Sequence, residues 1–364
     1  MFWVIKTKTA SNPYDVTNII PGVCKMPFND LTLIETLQND MAGQLAWLKS
    51  CQLLIPGHKA DGAIRNYPDQ GWVVPYFANF AAIALLEDPQ AHHRVERYLN
   101  WYLTNLEDNG TIKNYHYDPV LNAKKTTPDS EDAYAGTYLS LAAAFCQKTG
   151  SMKWLQSNLP ALKKIAGCVL RLTDYDGLTF VMTGSAVKYL MDNCEVYRGL
   201  SDFARLLTEL GDPEASFFES RAKAVASGVE RQLWNWRKKC YHPSKTGWWW
   251  RPFVNLKKFY PDATCQLFPA LYGIIAADSD KGTGLYALFN SYQPDWLEIK
   301  PPEYPWMILG YCAAQQGDYQ RAYDKLRHVR REYIDAKSGN WYCAEAAFYV
   351  LTCAKLLQRI MDEH

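Results

Sequence analysis

Residues 129–132 read Asp-Ser-Glu-Asp, three carboxyl groups within four positions, and 60 residues later the run "DNCE" brings Asp192 and Glu195. Each run precedes a long apolar helical pattern. One acid at a helix start is ordinarily a cap: it accepts from free backbone N–H groups, and "DNCE" has the capping-box spacing. Three acids exceed what a cap uses. Carboxylates crowded into a cleft raise one another's pKa, so one stays protonated as a general acid while another, held ionised by a helix terminus, acts as base. The candidate catalytic residues are therefore Asp132 and Asp192, with Asp129 and Glu131 tuning the first. Asp262, Glu303 and Glu345 sit at comparable places further along.

The elements that must carry these acids repeat. "DGAIRNY" (Asp61 to Tyr67) is echoed by "NGTIKNY" (Asn109 to Tyr115) and more loosely by "YDGLTFV" (Tyr175 to Val181). Each copy is followed by a helix rich in alanine and aromatics, and three more helices of that character start near Asp262, Pro301 and Asn340. Between them lie helices apolar on one face only, such as "QAHHRVERYLNWYLTNL" and "YQRAYDKLRHVRREY". The two kinds alternate six times. Helices apolar nearly all round must be enclosed, and one-faced helices can enclose them. An all-α (α/α)6 toroid with short strands in its rim loops is the expected fold. An open solenoid would need polar end caps, and the terminal helices look like ordinary members. The expected unit is a single domain over residues 1–364, with 1–28 an irregular segment.

In such a ring the long outer-to-inner connections gather on one rim, where sites are usually built. Aromatics crowd those connections: Tyr67, Trp72 and Tyr76, then Trp248, Trp249 and Trp250, then Tyr304, Trp306 and Trp341. Their flat faces suit sugar rings, with loop-to-loop packing as the alternative. Arg251 and Arg65 are placed to bind an acidic sugar or to satisfy a rim carboxylate.

The remaining features narrow the class. Lys and Arg number 39 against 38 Asp and Glu, which leaves no basic surplus for a phosphate backbone and argues against nucleic acid. Ten cysteines show no CxxC pair and read as reduced core residues. No leader-like or membrane-spanning run is visible, so a cytoplasmic, membrane-free protein is expected, of open oligomeric state. No HExxH, Gly-rich phosphate loop or GxSxG occurs, and neither metal nor cofactor is expected.

On "SEDAYAGTYLSLAAAFCQKTG" followed by "DNCEVYRGLSDFARLLTELGD", the chain resembles the six-hairpin glycosidase superfamily, nearest to unsaturated glucuronyl and rhamnogalacturonyl hydrolases. The resemblance implies an Asp opening each of two successive inner helices, here Asp132 and Asp192, as the acid/base pair acting on a sugar. It implies a glycosidase of carbohydrate metabolism cleaving an oligo- or polysaccharide. Three alternatives remain open from the residues: a polysaccharide lyase using His116 and a Tyr, a terpene cyclase-like toroid started by an acid motif, and a non-catalytic sugar-binding scaffold.

Overall fold

The computed structural model describes residues 31–247 and 249–362; the expected irregular segment 1–28 and Trp248 lie outside the described residues. Helices α1 (Leu31–Cys51), α2 (Pro75–Leu85), α3 (His92–Thr104), α4 (Asp132–Thr149), α5 (Met152–Leu172), α6 (Leu190–Leu210), α7 (Ala215–Gly228), α8 (Phe268–Leu271), α9 (Asp280–Tyr292), α10 (Met307–Gln315), α11 (Tyr319–Val329) and α12 (Cys343–Asp362) follow in chain order. Odd-numbered helices are outer and even-numbered ones inner. Sequence character explains the split. From Asp132 to Cys146 every residue of α4 is buried except the half-buried Ser140 and Ala144, whereas α3 buries one stripe built from Val95, Tyr98, Leu99, Trp101 and Tyr102.

The inner helices close on themselves, as the sequence predicts. Helix α2 packs on α4 and α12, α4 on α6, α6 on α8, and α10 on α12. Ile308 of α10 meets the cluster that holds Cys265 and Phe268, which completes the ring. In that order α6 and α12 face each other across the axis. Helix α1 lies against α12, where Tyr349 donates to Asp40 at 2.8 Å and joins the two ends of the fold.

One inner helix departs from expectation. The segment from Asp262, expected to run unbroken to Ala277, is a turn over Phe259–Ala263, a 3₁₀ turn over Thr264–Leu267 and then the four-residue α8. Pro269 has no N–H to continue the ladder, and Gly273 at φ +84° ends the helix.

The sequence echo has a packing cause. A Cβ on Gly62, Gly110 or Gly177 would lie 2.3, 2.3 or 2.5 Å from the backbone oxygen of Arg97, Lys164 or Ala224, on outer helices α3, α5 and α7. Each copy thus docks a rim turn onto the next outer helix at backbone contact. The strands are shorter than expected. Asn114–Tyr117 (β2) pairs with Trp72–Val73 (β1) and Ala123–Thr126 (β3), but the first copy forms only a bridge between Ile64 and Gln52. Val187–Tyr189 (β4) pairs with Ser244–Thr246 (β7), and Trp234–Asn235 (β5) with Cys240–Tyr241 (β6).

The axis of the ring is plugged. Phe80 and Phe348 meet there with ring centroids 5.0 Å apart. Beside them Glu195, 1% exposed, accepts from the Tyr76 hydroxyl at 2.6 Å and the Tyr272 hydroxyl at 3.1 Å. Burial pushes this carboxyl up to about 8, against the two tyrosine hydrogen bonds that favour its charged form. Helices α4 and α6 touch just behind it: a Cβ on Gly199 would sit 2.2 Å from the Gly136 carbonyl oxygen.

Two measurements test this packing. Gly199→Ala forces the α4–α6 backbones apart and is expected to cost roughly 1–3 kcal/mol in urea unfolding, as overpacking does; unchanged stability would mean the contact is slack. Folded Glu195 holds a proton between its ordinary 4.5 and about 8, so its contribution to stability falls as pH rises through that window. Glu195→Gln keeps an acceptor for both tyrosines and should therefore stabilise the protein more at pH 8 than at pH 5. An equal effect at both values would show that the carboxyl is ionised throughout.

Candidate active site

The rim segment before α4 and the first turn of α6 are drawn together by a hydroxyl. Ser130 Oγ lies 2.8 Å from Asp132 Oδ1 and 3.2 Å from Asp192 Oδ2. Asp132 is fully buried, and it also accepts from the Ala133 N–H at 2.9 Å and from Thr179 Oγ1 at 2.6 Å. Asp192 is half-buried, and among the described residues no protein group bonds its Oδ1. Burial raises both carboxyls above the usual range; for Asp192 the neighbouring Asp132 and Glu195 charges add to it. The single Ser130 proton can go to either carboxyl; when it goes to Asp192 Oδ2, a proton carried by Asp192 sits on Oδ1, the oxygen without a protein donor among the described residues.

The cap reading applies to part of this cluster. Ser130 Oγ accepts weakly from the Ala133 N–H, so the turn into α4 is capped by a hydroxyl and by Asp132 itself. The capping box expected in "DNCE" does not form, because α6 already starts at Leu190 and Asp192 lies inside its first turn. Strand β4 leads directly into that turn. It is anchored from below by Lys188 and by Lys245 of β7, whose ammonium groups donate to Asp176 at 2.8 and 2.6 Å. Burial would raise Asp176, but the two lysines hold it below the ordinary carboxylate range.

A cavity of about 690 Å³ opens above the Phe80–Phe348 plug; Asp132 and Asp192 are not among its lining residues, and Met191, next to Asp192, marks where α6 reaches its wall. Its walls include Tyr76, Phe77, Tyr134, Tyr260, Trp306 and Tyr342, and its carboxyls are Asp129 and Glu345. Asp129 is exposed, with the Tyr134 hydroxyl 3.0 Å from its Oδ1. Tyr260 lines this space, and its phenol is raised first by burial and then by the charge of Asp192. Glu345, in the first turn of α12, is 5% exposed and accepts from the Trp306 and Met307 backbone N–H groups at 3.3 and 2.6 Å. Burial lifts it to about 7; the Met307 N–H, the buried Lys325 charge and the Trp306 N–H pull the other way. Two N–H donors fix its oxygens as acceptors.

The other candidates scatter. Glu131 accepts from the Thr183 N–H and hydroxyl, so it ties down the loop before β4 and does not reach Asp132. Tyr76 and Trp306 line the cavity, while Tyr67 and Tyr304 pack around Tyr342 just above it. Trp72 is edge-on to His116 at 4.7 Å on the β1–β2 pair, and neither lines the cavity. Trp249 and Trp250 are 62% and 48% exposed and stand away from it. Trp341 is turned into the wall, donating to Gln44 of α1 at 3.0 Å, because the chain must bury a bulky ring where α12 meets α1. Arg251 is spent on Gln232 and the Trp249 carbonyl, and Arg65 on the Ser50 and Cys51 carbonyls. Asp262 accepts from the Asn255 N–H, and so serves its own turn. Glu345, Ser130 and Thr179 escaped selection by sequence. The sequence sets Glu345 among the acids of the inner helices, at the sixth helix start beside Trp341 and Tyr342, without selecting it as catalytic.

Among the described residues no cluster of His, Cys, Asp and Glu could hold a metal ion, and no helix is long and apolar enough to cross a membrane. The nine described cysteines are buried and unpaired.

No family model matches the chain, and no curated protein is similar to it in sequence. The fold is nonetheless shared with solved glycosidases. A glycosidase variant in complex with glucose superposes with a TM-score of 0.63 at 12% identity, covering 90% of this chain and 98% of that one. A rhamnosidase from Klebsiella oxytoca with rhamnose bound gives 0.60 at 10%, covering 92% of this chain and 64% of that one. A GH78 family rhamnosidase of Bacillus sp. GL1 gives 0.59 at 14%, covering 88% and 34%. These structures place the chain in the six-hairpin, (α/α)6 toroid fold seen in glycosidases.

Proposed function

We propose that the protein is a glycoside hydrolase in which Asp192 is the general acid and Glu345 the general base, with Asp132 positioning the acid. One observation carries this reading: Glu345, its oxygens held as acceptors by two backbone N–H groups, lines an aromatic-walled cavity whose opposite wall includes Met191 of α6, the neighbour of Asp192, whose carboxyl burial raises well above the usual range. The glucose- and rhamnose-bound structures that share the fold support a sugar in this space. Asp192 gives its proton to the glycosidic oxygen as the C–O bond breaks. Glu345 takes a proton from a water whose oxygen joins the anomeric carbon. Water attack across the ring calls for inversion at that carbon. Asp129 and Tyr134 offer hydrogen bonds to sugar hydroxyls, and Tyr76, Tyr260 and Trp306 offer faces to the ring.

Asp192→Asn and Glu345→Gln should each lower kcat by about two orders of magnitude or more with little loss of stability, measured on a panel of aryl glucosides and rhamnosides. Full turnover in either variant removes that residue from the mechanism. The pH–rate profile should rise through about 7 as Glu345 ionises and fall on the alkaline side as Asp192 loses its proton. Asp132→Asn removes a charge that raises Asp192, so the alkaline limb should move to lower pH while the rising limb stays. Proton NMR of the first-formed anomer reads the stereochemistry, and a retained configuration would contradict the water step.

A further inference from the structure

A second hollow of about 320 Å³ lies on the same rim, between the segment before α8 and the connection from α9 to α10. It shares Trp306 with the main cavity. That residue is a partition under strain: its backbone sits at φ +56°, ψ +52°, a left-handed conformation unfavourable for a non-glycine residue. Its ring is wedged against Phe259 at 5.4 Å, on the second hollow, and Tyr260 at 5.1 Å, on the first. The same residue's N–H bonds Glu345. The ring between the hollows is thus held by the carboxyl of Glu345, which lines the main cavity.

The lining of the second hollow is aromatic and acidic. Tyr292 is 44% exposed, and Asp295 and Glu303 are exposed and form no ion pair among the described residues. Trp296 forms the back wall, fixed by its Nε1 donating to Asn290 at 2.9 Å. No Lys, Arg or His among the described residues lines either hollow. Unpaired carboxylates and a phenol beside indole faces accept hydroxyls and stack on C–H surfaces, whereas they repel a uronate or phosphate group.

We infer that the second hollow is a saccharide subsite and that the ligand is a neutral oligosaccharide lying across Trp306, not the uronic-acid sugar implied by the nearest sequence resemblance. The inference rests on the glycosidase reading for its orientation, and binding tests it separately. The Asp192→Asn protein is titrated calorimetrically with neutral gluco-oligosaccharides and rhamnose-terminated oligosaccharides of one to five units, and with uronate-terminated oligosaccharides of matched length. Affinity for the neutral ladder should rise at least tenfold once the chain passes Trp306, and uronate-terminated members should bind more weakly than their neutral counterparts. Asp295→Asn combined with Glu303→Gln, both at exposed positions, should cut that chain-length gain to less than threefold. Flat affinity along the ladder, a preference for uronates, or an undiminished gain in the double variant overturns the inference. Cleavage of glycosides by the wild-type protein without a length effect sinks the subsite but leaves the glycosidase reading intact. A length effect without cleavage does the reverse, and the absence of any binding or cleavage sinks both.

Discussion

The contact between Gly136 and Gly199 governs everything above it. Where two inner helices meet at their backbones, no side chain separates them, and a Cβ on Gly199 would stand 2.2 Å from a carbonyl oxygen. Asp132 lies one turn above Gly136, and Asp192 two turns above Gly199. Close approach of the helix backbones is therefore what lets one serine hydroxyl reach both carboxyls. A spacer of even one methyl there would act on the pair through rigid helices, since packed interiors transmit strain more readily than they absorb it.

That pair, Glu195 and Glu345 place four carboxyls in or near one enclosed space, and a compact fold tolerates this only by managing charge. Burial disfavours the ionised form, so all four groups are pushed upward. Each then has a different partner set. Hydroxyls bond Asp132 and Glu195, with one backbone N–H added at Asp132; backbone N–H groups hold Glu345 as an acceptor; Asp192 keeps one oxygen free of protein donors among the described residues. Function is separated here by donors rather than by residue type. Asp176 is the contrast: two buried lysines hold it ionised, and its work is to brace the strand that leads into α6.

The ring architecture was legible because it rests on periodicity. One-faced and all-round apolar helices alternate along the chain, and only enclosure satisfies the second kind. The echoed "DGAIRNY" motif was visible too, but its cause was not, since the clash each glycine avoids is with a helix 35 to 55 residues away. The broken fourth inner helix shows the limit from the other side. Its composition is helical, yet the segment breaks into a turn, a 3₁₀ turn and the four-residue α8 around Pro269 and Gly273.

At the site the division is sharper. Asp192 and its neighbourhood could be read from acids crowded at helix starts, as could the aromatic character of the rim. Exposure could not. Trp341 and Trp306 look alike along the chain, yet one indole is buried against α1 and the other divides two cavities, because the partner helices set which way each ring can turn. Sequence alone determined the helix alternation, and with it the closed ring and the gathering of acids on one rim. Tertiary structure alone decided that Ser130 joins Asp132 to Asp192, that Glu345 lines the central cavity, and that among the described residues no basic side chain lines it, because distance across a ring has no counterpart in distance along a chain.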